Sequence, residues 1–205
     1  MALKKIDIGN EIGRGWELFK ANMGLLIVAG LICVLVGAVT CGLLVGPLMA
    51  GMYMVLRRLI KGDPVQPQAG DVFKGFDVFV QALLVIVLAF VIGMLLGMIP
   101  VIGQIAGFIV GAVSTWAIMF VAYEKCTAID AFKKIFTLTQ SGEFIMPLVF
   151  VVVVNLISGL GVLACGIGVF FTAPLSFCMN ACCYETLFGG EPEVIDPIRI
   201  EPPSL

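Results

Sequence analysis

Residues 78–123, VFVQALLVIVLAFVIGMLLGMIPVIGQIAGFIVGAVSTWAIMFVAY, run for 46 positions without a single Asp, Glu, Lys, Arg or His. One helix crosses ~30 Å of hydrocarbon with about 20 residues, at ~1.5 Å per residue. The stretch is therefore too long for one crossing and suits two. Gly97-Met98-Ile99-Pro100 interrupts it near the middle, where a proline removes a backbone donor and glycines loosen the helix. It reads as a helical hairpin. Two further stretches have the same character, residues 21–56 (36 positions) and 144–184 (41 positions). Their breaks fall at Cys41-Gly42…Gly46-Pro47 and at Cys165-Gly166-Ile167-Gly168…Pro174.

The composition agrees. Of 205 residues, 60% are hydrophobic and 13% charged, about half the charged share of a soluble domain. The mean hydropathy is +1.12, so lipid is the expected solvent. The chain contains no histidine. His-based zinc sites, Ser-His-Asp and Cys-His nucleophile systems, and the usual near-neutral proton shuttle are thereby excluded. A net charge of −2 offers no field for nucleic acid, so none is expected as a partner.

The basic residues fall in four groups: Lys4, Lys5, Arg14 and Lys20; Arg57, Arg58, Lys61 and Lys74; Lys125, Lys133 and Lys134; and Arg199. They bracket the apolar stretches, while the turns inside those stretches are uncharged. The positive-inside rule then puts every charged loop and both termini in the cytoplasm. A re-entrant first hairpin has the same charge pattern, since only ten residues separate Pro47 from Arg57; snorkelling of Arg57 and Arg58 would allow a full crossing. Ala38-Val39-Thr40-Cys41 brushes against a lipoprotein cleavage box. Thr40 is a poor residue before a modified cysteine, however, and more membrane segment follows, so no cleavage is expected.

A short motif precedes each hairpin: Glu17-Leu18-Phe19-Lys20, Asp71-Val72-Phe73-Lys74 and Asp130-Ala131-Phe132-Lys133. Three copies in register point to a threefold repeat. The third unit places its proline later, which indicates an insertion around Leu138–Phe144. The motif segments look amphipathic. Ile8, Ile12, Trp16 and Phe19 share one helical face, with Glu11, Arg14 and Lys20 opposite. Val72, Phe73, Phe76 and Phe79 repeat the pattern, as do Ile129, Phe132, Ile135 and Phe136. Such helices belong in the cytoplasmic interface. There Trp16, Phe19, Lys20, Phe73, Lys74, Phe132 and Lys133 either anchor the chain or form a collar for lipid headgroups or a partner.

Small residues at helix-packing spacing, Gly42–Gly46–Ala50, Gly93–Gly97 and Gly103–Gly107–Gly111, are candidates for close helix approach within the chain or between subunits. No ionisable residue is expected at bilayer depth apart from ends such as Glu124 and Glu185, which speaks against an ion-coupled pump. Asn155 and Asn180 bond across helices or line a polar path. No metal ligand set, cofactor motif or catalytic signature is present in the sequence. Seven cysteines lie mostly in apolar runs, as small hydrophobes. Cys41 and Cys165 occupy matching turns and would bridge units one and three if that face is oxidising. The tail 189–205, rich in proline and acid, reads as extended and cytoplasmic.

The run Asp130-Ala-Phe-Lys-Lys-Ile-Phe-Thr-Leu-Thr-Gln-Ser-Gly-Glu-Phe, the apolar hairpin after it, then Pro174 and Tyr184, resembles six-helix bacterial and archaeal membrane families of unknown function. These include the membrane domain fused to some glycerophosphoryl diester phosphodiesterases. The likeness covers about residues 85–190, and the serine usual after the motif's lysine is absent. It implies a fold and an inner-membrane location, with no catalytic residue carried over.

The expected protein is an all-α integral membrane protein of six transmembrane segments in three hairpins, each led by a cytoplasmic-side amphipathic helix. Residues 1–188 form one membrane domain, in units of about 1–64, 65–126 and 127–188. A non-enzymatic scaffold or accessory subunit, touching membrane lipids and either its own copies or other membrane subunits, is the expected function. The alternative is a homo-oligomeric pore or uncoupled carrier for a small solute.

Overall fold

The computed structural model describes residues 6–98, 102–140, 142, 144–163 and 168–189. Among them the chain forms eight α-helices and one 3-10 segment, with no strand. Unit one contains α1 (Ile8–Ala21), α2 (Met23–Val39) and α3 (Val45–Ile60). Unit two contains the 3-10 segment Ala69–Val78, then α4 (Phe79–Gly97) and α5 (Ile102–Glu124). Unit three contains α6 (Ala128–Gln140), α7 (Ile145–Leu163) and α8 (Val169–Phe188).

Each unit thus begins with a short helical element and continues with two apolar helices. The Asp7 carboxylate caps α1 by accepting from the Gly9 N–H at 3.0 Å, satisfying a donor that a helix start leaves free. Only Asn22 separates α1 from α2, and the axis turns by 92° there. The α2–α3 turn uses Cys41 at φ +50° and Gly42 at φ +84°. In unit three α6 turns by 114° into α7 through a connection holding Gly142 at φ +75°. α6 also runs farther past its motif than α1 does, so residues 138–140 of the expected insertion extend the helix. Pro174 sits inside α8 rather than in the hairpin turn, where its ring packs against Gly30 of α2.

Among the described residues two runs are long and apolar enough to cross a membrane, Ala69–Gly97 and Ala106–Glu124; counting each bent pair, α1–α2 and α6–α7, as one span raises the number to four. Against the six expected, the shortfall has a simple cause at α2 and α3. With 17 and 16 residues, they reach about 26 and 24 Å, less than the ~30 Å of hydrocarbon.

The units interlock in a ring. The 3-10 segment packs on α3, α6 packs on α5, and α1 closes the circle on α8. Each leading element therefore rests on the last helix of the unit before it. The aliphatic position of the motif, Leu18, Val72 or Ala131, is buried in all three. Two of these junctions are backbone against backbone. A Cβ on Gly15 would meet the Met179 backbone at 2.7 Å, and one on Gly51 or Gly75 would overlap the Val72 carbonyl or Pro47 carbonyl. Only glycine permits that approach.

Two expectations about the leading elements are corrected. α1 turns Glu11, Gly15, Leu18 and Phe19 inward, leaving Trp16 exposed. Its buried face therefore includes a carboxylate assigned to the polar side, because α8 supplies partners for it. The second element is 3-10, with three residues per turn. Val72, Gly75 and Val78 face the core, while Phe73 and Phe76 are exposed and line up with half-buried Phe79, centroids 6.1 and 5.7 Å apart. Val72 and the phenylalanines thus lie on different faces, about 120° apart.

Large side chains fill the interior at the charged end, Trp116, Tyr53, Phe19, Phe120, Phe144 and Phe150 among the largest. Farther along the hairpins, apolar side chains face outward: Phe90 is 70% and Met98 79% exposed. Surface of this kind is costly in water and neutral in lipid.

Candidate functional site

The three tyrosines of the chain lie one on each inner helix: Tyr53 on α3, Tyr123 on α5 and Tyr184 on α8. Their rings meet edge to face, Tyr53 with Tyr123 at 6.2 Å and Tyr123 with Tyr184 at 4.6 Å. Tyr53 also meets Phe177 at 5.1 Å. This aromatic centre joins all three repeat units, and such pairs add about 0.5–1.5 kcal/mol each beyond area burial.

Charged side chains close over it. One helical turn past Tyr53, Arg57 lies over the Tyr123 ring at 4.8 Å and donates from Nη1 to the Tyr123 carbonyl at 2.8 Å. Its Nε stands 3.1 Å from Glu185 Oε1 on α8. Glu185 is only 8% exposed, and a carboxylate so placed must be paired. Beside it Glu124 accepts from the Tyr184 hydroxyl at 2.9 Å and pairs with Lys134 Nζ at 2.6 Å. That ammonium sits 4.4 Å from the Phe120 ring and 5.4 Å from Phe188, a favourable cation–π placement. At the α1–α8 junction Glu11, 4% exposed, accepts from the Thr186 hydroxyl at 2.8 Å. Arg14 Nη1 in turn donates to Thr186 Oγ1 at 2.6 Å.

Five buried polar atoms in this centre lack a hydrogen-bond partner among the described residues: Tyr53 Oη, Tyr123 Oη, Asn180 Oδ1, and Arg57 Nε and Glu185 Oε1, which face each other as an ion pair without hydrogen-bond geometry. Asn180 is buried, Asn155 is half-buried on α7, and no hydrogen bond joins them. Gln81 has a structural part: its Oε1 accepts from the Ala128 N–H at 2.9 Å and so caps α6 from α4.

Outside the helical hairpins, the loop after α3 is tied by charge. Arg58 Nε donates to Asp63 at 2.8 Å and Nη1 to Asp71 at 2.9 Å, and Lys74 pairs with Asp71 at 3.0 Å. The Lys74 hydrogen bond, followed by the Gln68 backbone N–H, holds the Asp71 carboxyl below its ordinary range. Arg58 does the same for Asp63.

The other residues singled out from the sequence are dispersed. Trp16 and Phe73 are exposed, Phe19 is buried and Phe132 half-buried. Lys20 lies 5.9 Å from the Trp16 ring, and Lys133 is exposed. Of the small-residue series, Gly46 and Gly103 meet close neighbours: a Cβ on Gly46 would contact the Ala82 carbonyl at 2.6 Å, and one on Gly103 the Leu96 carbonyl at 2.6 Å and Gly97 Cα at 2.8 Å. Around Gly93, Gly97, Gly107 and Gly111 an added Cβ finds open space. Cys41 is an exposed free thiol, and its suggested partner Cys165 lies outside the described residues. Cys178, Cys182 and Cys183 are buried free thiols, and among the described residues no three Cys, Asp or Glu side chains converge to hold a metal.

The Arg57–Glu185 and Glu124–Lys134 connections join different helices, which spacing along a single helix does not reveal. One signal was available: Tyr123-Glu124 and Tyr184-Glu185 repeat the same pair at the ends of matching helices. Protein-family models, curated proteins and solved structures give no match to this chain.

Proposed function

We propose that the chain is an integral protein of a bacterial or archaeal cytoplasmic membrane. Three hairpins cross the bilayer, with the charged face and both termini cytoplasmic. It acts without catalysis, as a scaffold or accessory subunit. The observation that carries this reading is the interlocked centre. Arg57, Glu185, Tyr123 and Tyr184 bind all three units into one body, while the hairpins beyond present apolar flanks. A filled core with apolar flanks suits a part that holds its shape and is gripped from the side. The short α2 and α3 complete their crossings where the bilayer thins around them.

A pore or uncoupled carrier is the second reading. Tyr53, Tyr123, Trp116 and Phe120 fill the space between α3, α5 and α8, so a solute path would have to run between copies. Native mass spectrometry of protein extracted gently from its own membrane separates the two. An unrelated polypeptide retained at fixed stoichiometry supports the accessory role. A defined homo-oligomer whose liposome flux depends on Asn155 or Asn180 replaces it with the pore.

A further inference from the structure

A cleft of about 750 Å³ opens at the elbow where α1 turns into α2, within the ~300–1,000 Å³ range of small-ligand sites. Its walls are the end of α1, the first turn of α2, and the end of α3 with the following loop. Lys20, Gly24, Arg58 and Asp63 line it. Because α2 and α3 form a hairpin, the start of one lies beside the end of the other, at the charged face.

The electrostatics of this cleft are lopsided. Arg58 pairs with Asp63 and Asp71 at 2.8 and 2.9 Å, and Lys74 pairs with Asp71 at 3.0 Å, so that wall is a balanced ion-pair cluster. Lys20 has no ion pair among the described residues and rests near the Trp16 ring at 5.9 Å. The cleft's uncompensated charge is therefore one ammonium. Beyond the cleft, the α2 face that Gly24 heads continues through Val28, Leu31 and Leu35, spaced 4, 3 and 4 residues apart on one side of the helix. All three are exposed. A cationic notch thus opens onto an apolar stripe.

We propose that this cleft seats the phosphate of an anionic membrane lipid on Lys20, with the acyl chains lying along Val28, Leu31 and Leu35. The assignment rests on the membrane reading, which puts the α1–α2 elbow at headgroup depth. Anionic headgroups attract a basic side chain near the surface by about 1 kcal/mol, about fivefold in binding.

The test is native mass spectrometry of the full chain in detergent with added phosphatidylglycerol, phosphatidylcholine or inorganic phosphate. Retention of phosphatidylglycerol in preference to phosphatidylcholine is expected, with inorganic phosphate failing to displace it. Lys20→Gln should weaken retention about fivefold. Gly24→Glu should abolish it by placing a carboxylate in the cleft. That variant should fold, because no heavy atom lies within 4 Å of an added Cβ and an acid suits the first helical turn. Lys125→Gln, in the loop after α5, should bind as the parent does. Unchanged retention in both cleft variants overturns the assignment, as does equal retention of phosphatidylcholine. Displacement by inorganic phosphate would make the ligand a soluble anion instead. Carbonate extraction separates the failures. Release from the membrane defeats the membrane reading, whereas a chain that stays put with unaltered lipid selectivity in the variants defeats the cleft alone.

Discussion

Arg57 on α3 stands 3.1 Å from Glu185 on α8, with its guanidinium across the ring of Tyr123 on α5. One side chain thereby fastens helices from all three repeat units. Glu185 is nearly buried, so its charge depends on that partner.

Arg57→Leu should therefore cost about 3 kcal/mol, the lower end for stranding a buried charge. The double variant Arg57→Leu/Glu185→Leu should recover a large part of the loss. Thermal unfolding in detergent followed by tryptophan fluorescence measures both. A double variant whose loss equals the sum of the singles would mean the two residues do not couple.

The glycines make a contrasting pair. Gly51→Ala drives a methyl into the Val72 carbonyl and should destabilise by at least about 1–3 kcal/mol through overpacking. Gly93→Ala meets open space and should be neutral or slightly stabilising, since alanine favours helix by about 1 kcal/mol. A change of oligomeric state on Gly93→Ala, read by size exclusion with light scattering, would instead give the α4 stripe an intermolecular role.

Asp63 and Asp71 carry folded-state carboxyls held below their ordinary values by Arg58 and by Lys74. Their ion pairs should be fully formed above the unfolded value of about 3.9. They are lost only as pH falls through the lower folded values. The loop is accordingly insensitive to pH between about 5 and 8 and loosens in acid. Carboxyl NMR titration should show Lys74→Ala raising the Asp71 midpoint and Arg58→Ala raising that of Asp63. Midpoints indifferent to both substitutions would refute the assignment.

Topology follows from two thiols. Cys41 lies at the α2–α3 turn and Cys126 in the charged loop after α5. In single-cysteine variants an impermeant maleimide should reach Cys41 from outside intact cells and Cys126 only in inverted vesicles. Labelling of both from the cytoplasmic side would make the first hairpin re-entrant.

Much of the fold was legible beforehand because its signals are one-dimensional. Charge-free runs bounded by lysines and arginines report the apolar stretches directly, and Gly97 and Cys41-Gly42 mark the turns inside them. The motif led by Glu17, Asp71 and Asp130 announced a short helical element before each. Rotation about a helix axis was harder to read. A four-residue period cannot say that Glu11 faces inward, and α-helical counting misassigned Val72 in a segment that turns every three residues.

The sequence by itself determined an all-helical chain, three apolar hairpin-length stretches and the positions of the leading elements, since composition and periodicity act through local backbone and solvent preference. Tertiary structure decided the close contacts at glycines outside the small-residue series. Gly15, Gly51 and Gly75 are sequence-ordinary, and only the ring closure of α1 onto α8 and of the 3-10 segment onto α3 brings backbone against them. It also decided that Arg57, Glu185 and the three tyrosines share one centre. Residues in three units meet there because helix packing, unlike helix formation, is fixed by contacts far apart in the chain.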